Sequence, residues 1–422
     1  MHGTKFWQLL TGRGRIFTVV GVIVTLVGVV SDQRDIMRLG LLLLVLPILA
    51  AILVARTRLR LSCERSVEPA QVALGSPMRG RIVLGQQGRL PIGILMLEDA
   101  VPRELGNRPR FLIDRATLNW RREVEYPLLG RVRGRFRTGP LMVRTTDPFG
   151  LVRMDRQFVA SSEVMVTPDI VPLPPLRAAG GAGSTGEAQP HRIGVVGADD
   201  ALIREYRHGD DVRRVHWRST ARRDQLMVRR EEQAWDPSAS ILLDSRDSAH
   251  AGRGMHNSIE WAISAAGSVA THFLDTGFSV EIFDAGGPLH ISGAMGQHSS
   301  ASKQLVVERL TDLRPRSTRS LHYAVESANA DRPGQLIVAI LGRLTPADAE
   351  VLLRVRGSRA RGLAIVLDVA TFAGEEEDER RKEAADLARK VLLDNQWRVV
   401  QADRTTSVGD AWAGLNELSR VG

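Results

Sequence analysis

The sequence predicts a multidomain chain: an N-terminal transmembrane helical hairpin, an all-β sandwich, and a doubly wound α/β domain. Three observations carry that prediction. Residues 16–30 and 39–55 are apolar runs parted by the polar Ser31-Asp32-Gln33-Arg34-Asp35. Residues 59–167 hold short alternating runs broken by Gly, Pro and Asn. Beyond Pro237, strand-length apolar runs alternate with helix-length ones.

Each N-terminal run, with its flanks, meets the roughly 17–25 residues that cross a bilayer, and neither has the polar face of a buried core helix. A signal peptide does not fit, because no small-x-small site follows Val30 and a second apolar run comes at once. Lys5, Arg13 and Arg15 precede the first run, and Arg56, Arg58 and Arg60 follow the second. Arg34 and Arg38 between them are offset by Asp32 and Asp35. The positive-inside rule therefore places both termini and everything after the hairpin in the cytoplasm, at the plasma membrane.

The expected boundaries are 1–58 for the hairpin, 59–170 for the β-sandwich, 171–198 for a linker, 199–236 for an Arg-rich segment and 237–422 for the α/β domain. Strands are expected at 79–84, 123–126, 139–144 and 163–167. Asp147-Pro148-Phe149-Gly150-Leu151 reads as a turn that Phe149 anchors in the core, with Asp147 a turn residue and not a catalytic one. The linker is Pro-rich at 172–175 and Gly-rich at 180–186. In the last domain, strands are expected at 240–244, 278–283, 336–341, 363–367 and 397–401. Helices are expected at 257–275, 302–313, 346–356, 375–394 and 408–419.

The 422 residues carry a net charge of +9, mostly through Arg, and a single cysteine, Cys63. No internal disulfide is possible, which suits a reducing compartment. Arg is interspersed with Asp and Glu and aromatics are sparse, so neither a basic block nor a stacking platform for nucleic acid stands out.

The densest run of functional-looking residues is 204–232, REYRHGDDVRRVHWRSTARRDQLMVRREE. It reads as a strand through Leu202, Ile203 and Tyr206, a turn at Gly209-Asp210, a short helix from Asp211, and a second strand at 226–228. The spacing of Arg204, Tyr206, Gly209, Asp210, Arg213, Trp217, Ala221 and Arg222, with Leu226, Arg229 and Glu231 downstream, resembles the signature of the DUF58 family, proteins of unknown biochemical function. Arg133-Gly134 with Gly139-Pro140, and the 147–151 turn, extend the resemblance. In one reading the Arg residues form ion pairs with Glu205, Asp210, Glu231 or Glu232 and lock the segment in place. In the other they grip a partner's carboxylates or a phosphate, with Trp217 as a buried anchor or an interface hot spot.

The strand expected to end at Asp244 invites comparison with the von Willebrand factor A fold, whose D-x-S-x-S phrase helps to hold Mg²⁺. Here the phrase is Asp244-Ser245-Arg246-Asp247-Ser248, with a cation at the middle position. Asp244, Ser248 and Thr318 are what remains of the ligand set, and Gly342-Arg343 stand where an Asp is expected. The expectation is a degenerate, metal-free site. Cys63 has no plausible nucleophilic partner, His216 beside Trp217 reads as a packing residue, and neither G-x-S-x-G nor a P-loop occurs.

The expected function is a non-catalytic, cofactor-free scaffold at the membrane. The family resemblance implies partnership with MoxR-type AAA+ ATPases and von Willebrand A proteins in a chaperone-like or envelope-related process. The alternative is a hydrolase or transferase that uses the Arg-rich signature on a phosphorylated substrate.

Overall fold

The computed structural model describes residues 6–56, 61–86, 95–113, 120–147, 149–175, 202–205, 217–223, 225–230, 238–290, 299–318, 320–328, 336–355, 361–374 and 378–417. The chain divides into two compact units, Met1–Asp169 and Ile170–Gly422.

The first unit opens with α1 (Phe6–Leu9), α2 (Gly12–Val30) and α3 (Arg34–Arg56). Thr11 caps α2, its hydroxyl accepting the Gly14 N–H at 3.2 Å. At about 1.5 Å per residue, the 19 residues of α2 span close to the thickness of a bilayer's hydrocarbon core. Apolar side chains along both helices face outward: Ile16, Leu26, Leu42 and Leu49 are all more than half exposed. A soluble core helix would bury them. The two helices meet through small residues. A β-carbon on Gly28 would lie 2.5 Å from the Met37 nitrogen, and one on Gly40 would lie 2.5 Å from the Thr25 nitrogen. Only residues without a bulky side chain allow backbones to approach this closely.

Ten strands follow: β1 (Leu61–Glu68), β2 (Gln71–Ala73), β3 (Pro77–Gln86), β4 (Leu95–Asp99), β5 (Arg110–Ile113), β6 (Arg121–Leu129), β7 (Gly134–Thr138), β8 (Leu141–Thr146), β9 (Arg153–Phe158) and β10 (Ser162–Thr167). They form sheets in the orders β1-β3-β6, β2-β10-β7 and β5-β4-β8-β9. All neighbours are antiparallel except β2 and β10. Alternate residues of β4 and β8, such as Leu95, Leu97, Leu141 and Val143, point into a core shared with β3 and β10. The alternation is the period-two pattern that marks these runs as strands in the sequence. Asp99 lies inside that core, met by the Arg65 guanidinium and the Tyr126 hydroxyl. Burial, then the bond to the Asp99 carboxylate, pushes the Tyr126 pKa up.

The 147–151 turn differs from its expected form. Phe149 is 63% exposed and does not enter the core. Leu151 and Val152 are buried instead, packed against Leu10 and against Ala50, Ala51 and Val54 of α3. Asp147 shapes the turn: its carboxylate accepts the Phe149 N–H at 2.9 Å and the Val152 N–H at 2.6 Å. The Thr11 hydroxyl donates to the Gly150 carbonyl at 2.6 Å, and the Thr11 N–H to the Leu151 carbonyl at 2.9 Å. The turn is thus a socket for the start of α2, and its apolar demand is met by residue 151.

The second unit begins with 170–175. Ile170 packs beside Gly267, Val171 and Leu173 pack on a core cluster, and the Trp412 indole donates to the Pro174 carbonyl at 2.8 Å. The Pro-rich start of the expected linker is therefore part of this unit; its Gly-rich remainder lies outside the described residues. The hairpin of β11 (Leu202–Glu205) and β12 (Met227–Arg230) flanks α4 (Trp217–Arg223). The order then runs β13 (Ser238–Leu243), α5 (Ser258–Asp275), β14 (Ser279–Asp284), β15 (Gly287–Pro288), α6 (Ser299–Asp312), α7 (His322–Ala328), β16 (Leu336–Leu341), α8 (Pro346–Leu353), β17 (Arg361–Leu367), α9 (Val369–Ala373), α10 (Glu379–Asp394), β18 (Arg398–Ala402) and α11 (Val408–Glu417).

The sheet order is β15-β14-β13-β16-β17-β18, parallel apart from the short edge strand β15. Each face has its own core. Ile241, Leu243, Val338 and Ile340 join α5, α6 and α11 on one face. Leu242, Ile337, Ala339 and Leu341 join α7, α8 and α10 on the other. Strands buried on both faces read as continuous apolar runs, which is how 336–341 reads.

Replacing Gly28 by Ile should force α2 and α3 apart. The thermal midpoint of the full chain in detergent should fall, while Gly12→Ile, at a position with open space around it, should leave it unchanged.

Candidate functional site

Five parallel strands end on one edge of the six-stranded sheet, and the chain changes direction there between β13 and β16. In open α/β sheets, ligands bind outside the carboxyl ends of the strands at such a switch point. Asp244 follows β13, Asp284 ends β14, Gly342 follows β16, Asp368 follows β17 and Asp403 follows β18. The Asp403 carboxyl, bonded to the Thr405 and Thr406 hydroxyls, is held down to about 2 and is a turn residue.

Asp244 is fully buried, and Arg246 is 4% exposed. The guanidinium forks onto the Asp244 carboxylate, Nε to Oδ1 at 2.9 Å and Nη2 to Oδ2 at 2.8 Å. Its third nitrogen, Nη1, donates to Asp348 Oδ1 at 2.8 Å. The backbone N–H of Arg246 also reaches Asp244 Oδ1 at 3.1 Å, and that of Gly342 reaches Oδ2 at 3.4 Å. Burial works against the charged guanidinium, but the two carboxylates outweigh it and push its pKa up. Asp348 is fixed in turn by a capping box with Thr345 at the start of α8. The cation at the middle of the 244–248 phrase is therefore the counter-ion of Asp244. Gly342 is required here because a β-carbon would collide with the Ala249 carbonyl.

The flanking groups are satisfied as well. His250 Nε2 donates to the Asp244 carbonyl at 2.6 Å, and Nδ1 lies 3.0 Å from the Ser258 hydroxyl. Burial drives the His250 pKa down, so the ring is neutral, with its proton on Nε2. Ser245 and Arg316 both reach the Asp284 carboxylate, at 3.4 and 3.1 Å. The other two residues of the expected ligand set stay apart from this cluster: Ser248 and Thr318 are exposed, and the Thr318 hydroxyl accepts only a long contact from the Ser320 N–H. Among the described residues, no group of three or more His, Cys, Asp or Glu side chains is arranged to hold a metal ion.

Beside this cluster, a cavity of about 520 Å³ opens at the ends of β16 and β17, lined by Arg343, Thr345, Asp368 and Arg381 among others. Arg343 Nε and Asp368 Oδ1 are buried there without a hydrogen-bond partner.

Of the Arg-rich signature, Arg204 sits in β11 opposite Val228, and Arg229 sits in β12 opposite Ile203. The short helix starts at Trp217, which is 69% exposed and so is not a buried anchor. Ala221 and Arg222 are exposed on the same helix. The Thr220 hydroxyl accepts the Met227 N–H at 3.0 Å and ties the helix to β12. Tyr206, Gly209, Asp210, Arg213 and Glu231 lie outside the described residues. Sequence reasoning weighed Asp244 and Arg246 but missed Asp348, Asp284, His250 and the cavity. Asp348 is 102 residues from Arg246, and only its position in the capping phrase Thr345-Pro346-Ala347-Asp348 marks it.

Removing the cation alone should strand two buried carboxylates. Arg246→Met is expected to cost about 3–5 kcal/mol in chemical denaturation of the full chain. The double variant Arg246→Met/Asp244→Asn should recover part of that loss.

No curated protein matches the chain. Among solved structures, it is similar at 9% identity to a β-glucosidase from Listeria innocua in complex with gluconolactone, over 24% of this chain and 16% of that one, with a TM-score of 0.16. It is similar at 12% identity to the alkylpurine DNA glycosylase AlkC of Pseudomonas fluorescens bound to abasic-site DNA, over 32% of this chain and 39% of that one, with a TM-score of 0.18. The chain thus spans well under half the length of either structure, and scores this low carry no argument about fold or function. Residues 202–371, from β11 into α9, match the family described as "Protein of unknown function DUF58".

Proposed function

We propose that the protein is a membrane-anchored, cytoplasm-facing adaptor. On this reading its second unit is a von Willebrand A-like domain whose cation position is filled from within by Arg246. The observation that carries the proposal is the guanidinium forked on Asp244 and bonded to Asp348, both within 2.8–2.9 Å. A carboxylate already engaged by four N–H contacts, from Arg246 and Gly342, has little left to offer an ion or a reacting group. Three sheets around one core support a sandwich-type β domain in the first unit.

Membrane anchoring is supported by two apolar helices with outward-facing side chains. At the start of α3, Arg38 pairs with Asp35 at 3.1 Å, which leaves the end of the hairpin nearly neutral and the flanking Lys and Arg dominant. Trp7, half exposed before α2, has the amphipathic ring favoured at a membrane–water boundary. For the partner, the proposal is a MoxR-type AAA+ ATPase, with the exposed face of α4 as the contact. Trp217, Arg218 and Arg222 give that face an aromatic and two cations, the residue types enriched at interface hot spots.

Two experiments test these proposals. In intact cells, Ser31→Cys in a Cys63→Ser background should react with a membrane-impermeant maleimide, whereas the wild-type Cys63 should react only after lysis; labelling of Cys63 from outside would reverse the orientation. A pull-down from native membranes should recover an AAA+ ATPase, identified by mass spectrometry. Trp217→Ala/Arg222→Glu should lose it at unchanged thermal midpoint. Full recovery with that variant would remove α4 from the interface. Loss of turnover on a phosphorylated substrate, with the complex intact, would favour an enzyme.

A further inference from the structure

We propose that the cavity at the ends of β16 and β17 is a binding site for a small phosphomonoester, of mononucleotide size, that also carries a hydrogen-bond donor. Two charged residues of opposite sign, Arg343 and Asp368, line this cavity and do not meet each other, whatever partner the protein has.

Arg343 follows Gly342 at the end of β16, and Asp368 follows Leu367 at the end of β17; the two strands are parallel neighbours. Arg343 Nε and Asp368 Oδ1 are both buried and both without a hydrogen-bond partner. No ion pair joins Arg343 or Asp368 to any described residue. Asp368 stands at the N-cap of α9, yet its side chain makes no capping bond. A buried polar atom left unpaired is costly, and proteins retain few of them. The two atoms themselves are closed off from solvent, but both residues line the one cavity, and an occupant there can meet the rest of each charged group.

The chemistry of the wall selects that occupant. Arg381, exposed on α10, lines the same cavity and forms no ion pair with a described residue. The N-terminus of α8, at Thr345 and Ala347, opens onto it too and adds the positive end of a helix. Two guanidinium groups with no ion-pair partner among the described residues, beside a helix N-terminus, match a phosphate, which Arg can grip through paired N–H bonds. Asp368 accepts and cannot donate when ionised, so it asks the ligand for an amine or hydroxyl. Arg246 is already committed to Asp244 and Asp348, and Arg389 to Asp386 and Gln401, so neither competes for the anion. A volume of about 520 Å³ is in the range of small-molecule sites and far exceeds what an inorganic anion fills.

The test is calorimetric titration of the full chain in detergent with inorganic phosphate and with AMP, whose phosphate and exocyclic amine supply the two required ends. Both should bind, AMP the more tightly. Arg343→Gln should weaken both by about tenfold or more, the loss expected for a charged hydrogen bond. Arg381→Gln, at an exposed position that leaves folding intact, should weaken both in the same direction. Asp368→Asn should weaken AMP and leave phosphate bound as tightly or more tightly. Absence of binding by both probes would overturn the proposal. So would affinities indifferent to Arg381→Gln, or AMP binding indifferent to Asp368→Asn.

Discussion

The second unit depends on one internal ion cluster. Asp244 is set by the end of β13, Asp348 by the cap of α8, and Arg246 by the turn that follows β13. Only the guanidinium, with its planar set of donors, reaches both carboxylates at once. The cluster adds a side-chain link from the end of β13 to the start of α8 across the switch point, beyond the β13–β16 ladder. Gly342 lets the end of β16 pass beneath the Ala249 carbonyl, and neutral His250 holds the Asp244 carbonyl from the other side. A buried arrangement of this kind is costly to assemble, so its value lies in specifying one geometry more than in adding stability.

The edge that carries this cluster is divided in character. At β13 and β14 the carboxylates are engaged: Asp244 by Arg246, and Asp284 by Ser245 and Arg316. At β16 and β17 the charged groups are held apart around an open volume. The same sheet end thus combines a sealed site with an unsatisfied one.

In the first unit, the decisive constraint is how two apolar helices meet a β-rich body. The turn at 147–151 carries the start of α2 on its carbonyls and buries Leu151 and Val152 against α3. Glycines at the helix contact let the two backbones approach closely. Phe149, freed from the core, is left exposed beside this junction.

Periodicity and length alone determined the two long apolar helices, the strands around Ile82, Tyr126 and Val166, and the order of the longer strands and helices after Pro237, because each is a local pattern. Several helix ends fell within a few residues of their expected places because capping is local too, as at Asn257 and Thr345. The short elements β15, α7 and α9 carry too few residues for a pattern and went unseen. Tertiary structure alone decided that Arg246 is the counter-ion of Asp244 and Asp348, that Leu151 rather than Phe149 is buried, and that Arg343 and Asp368 share a cavity. The physical reason is the same each time. Partners 25 residues apart, as Arg343 and Asp368 are, or 102 apart, as Arg246 and Asp348 are, and a choice between two apolar neighbours in one turn are set by which surfaces the fold brings together, and no local pattern encodes that.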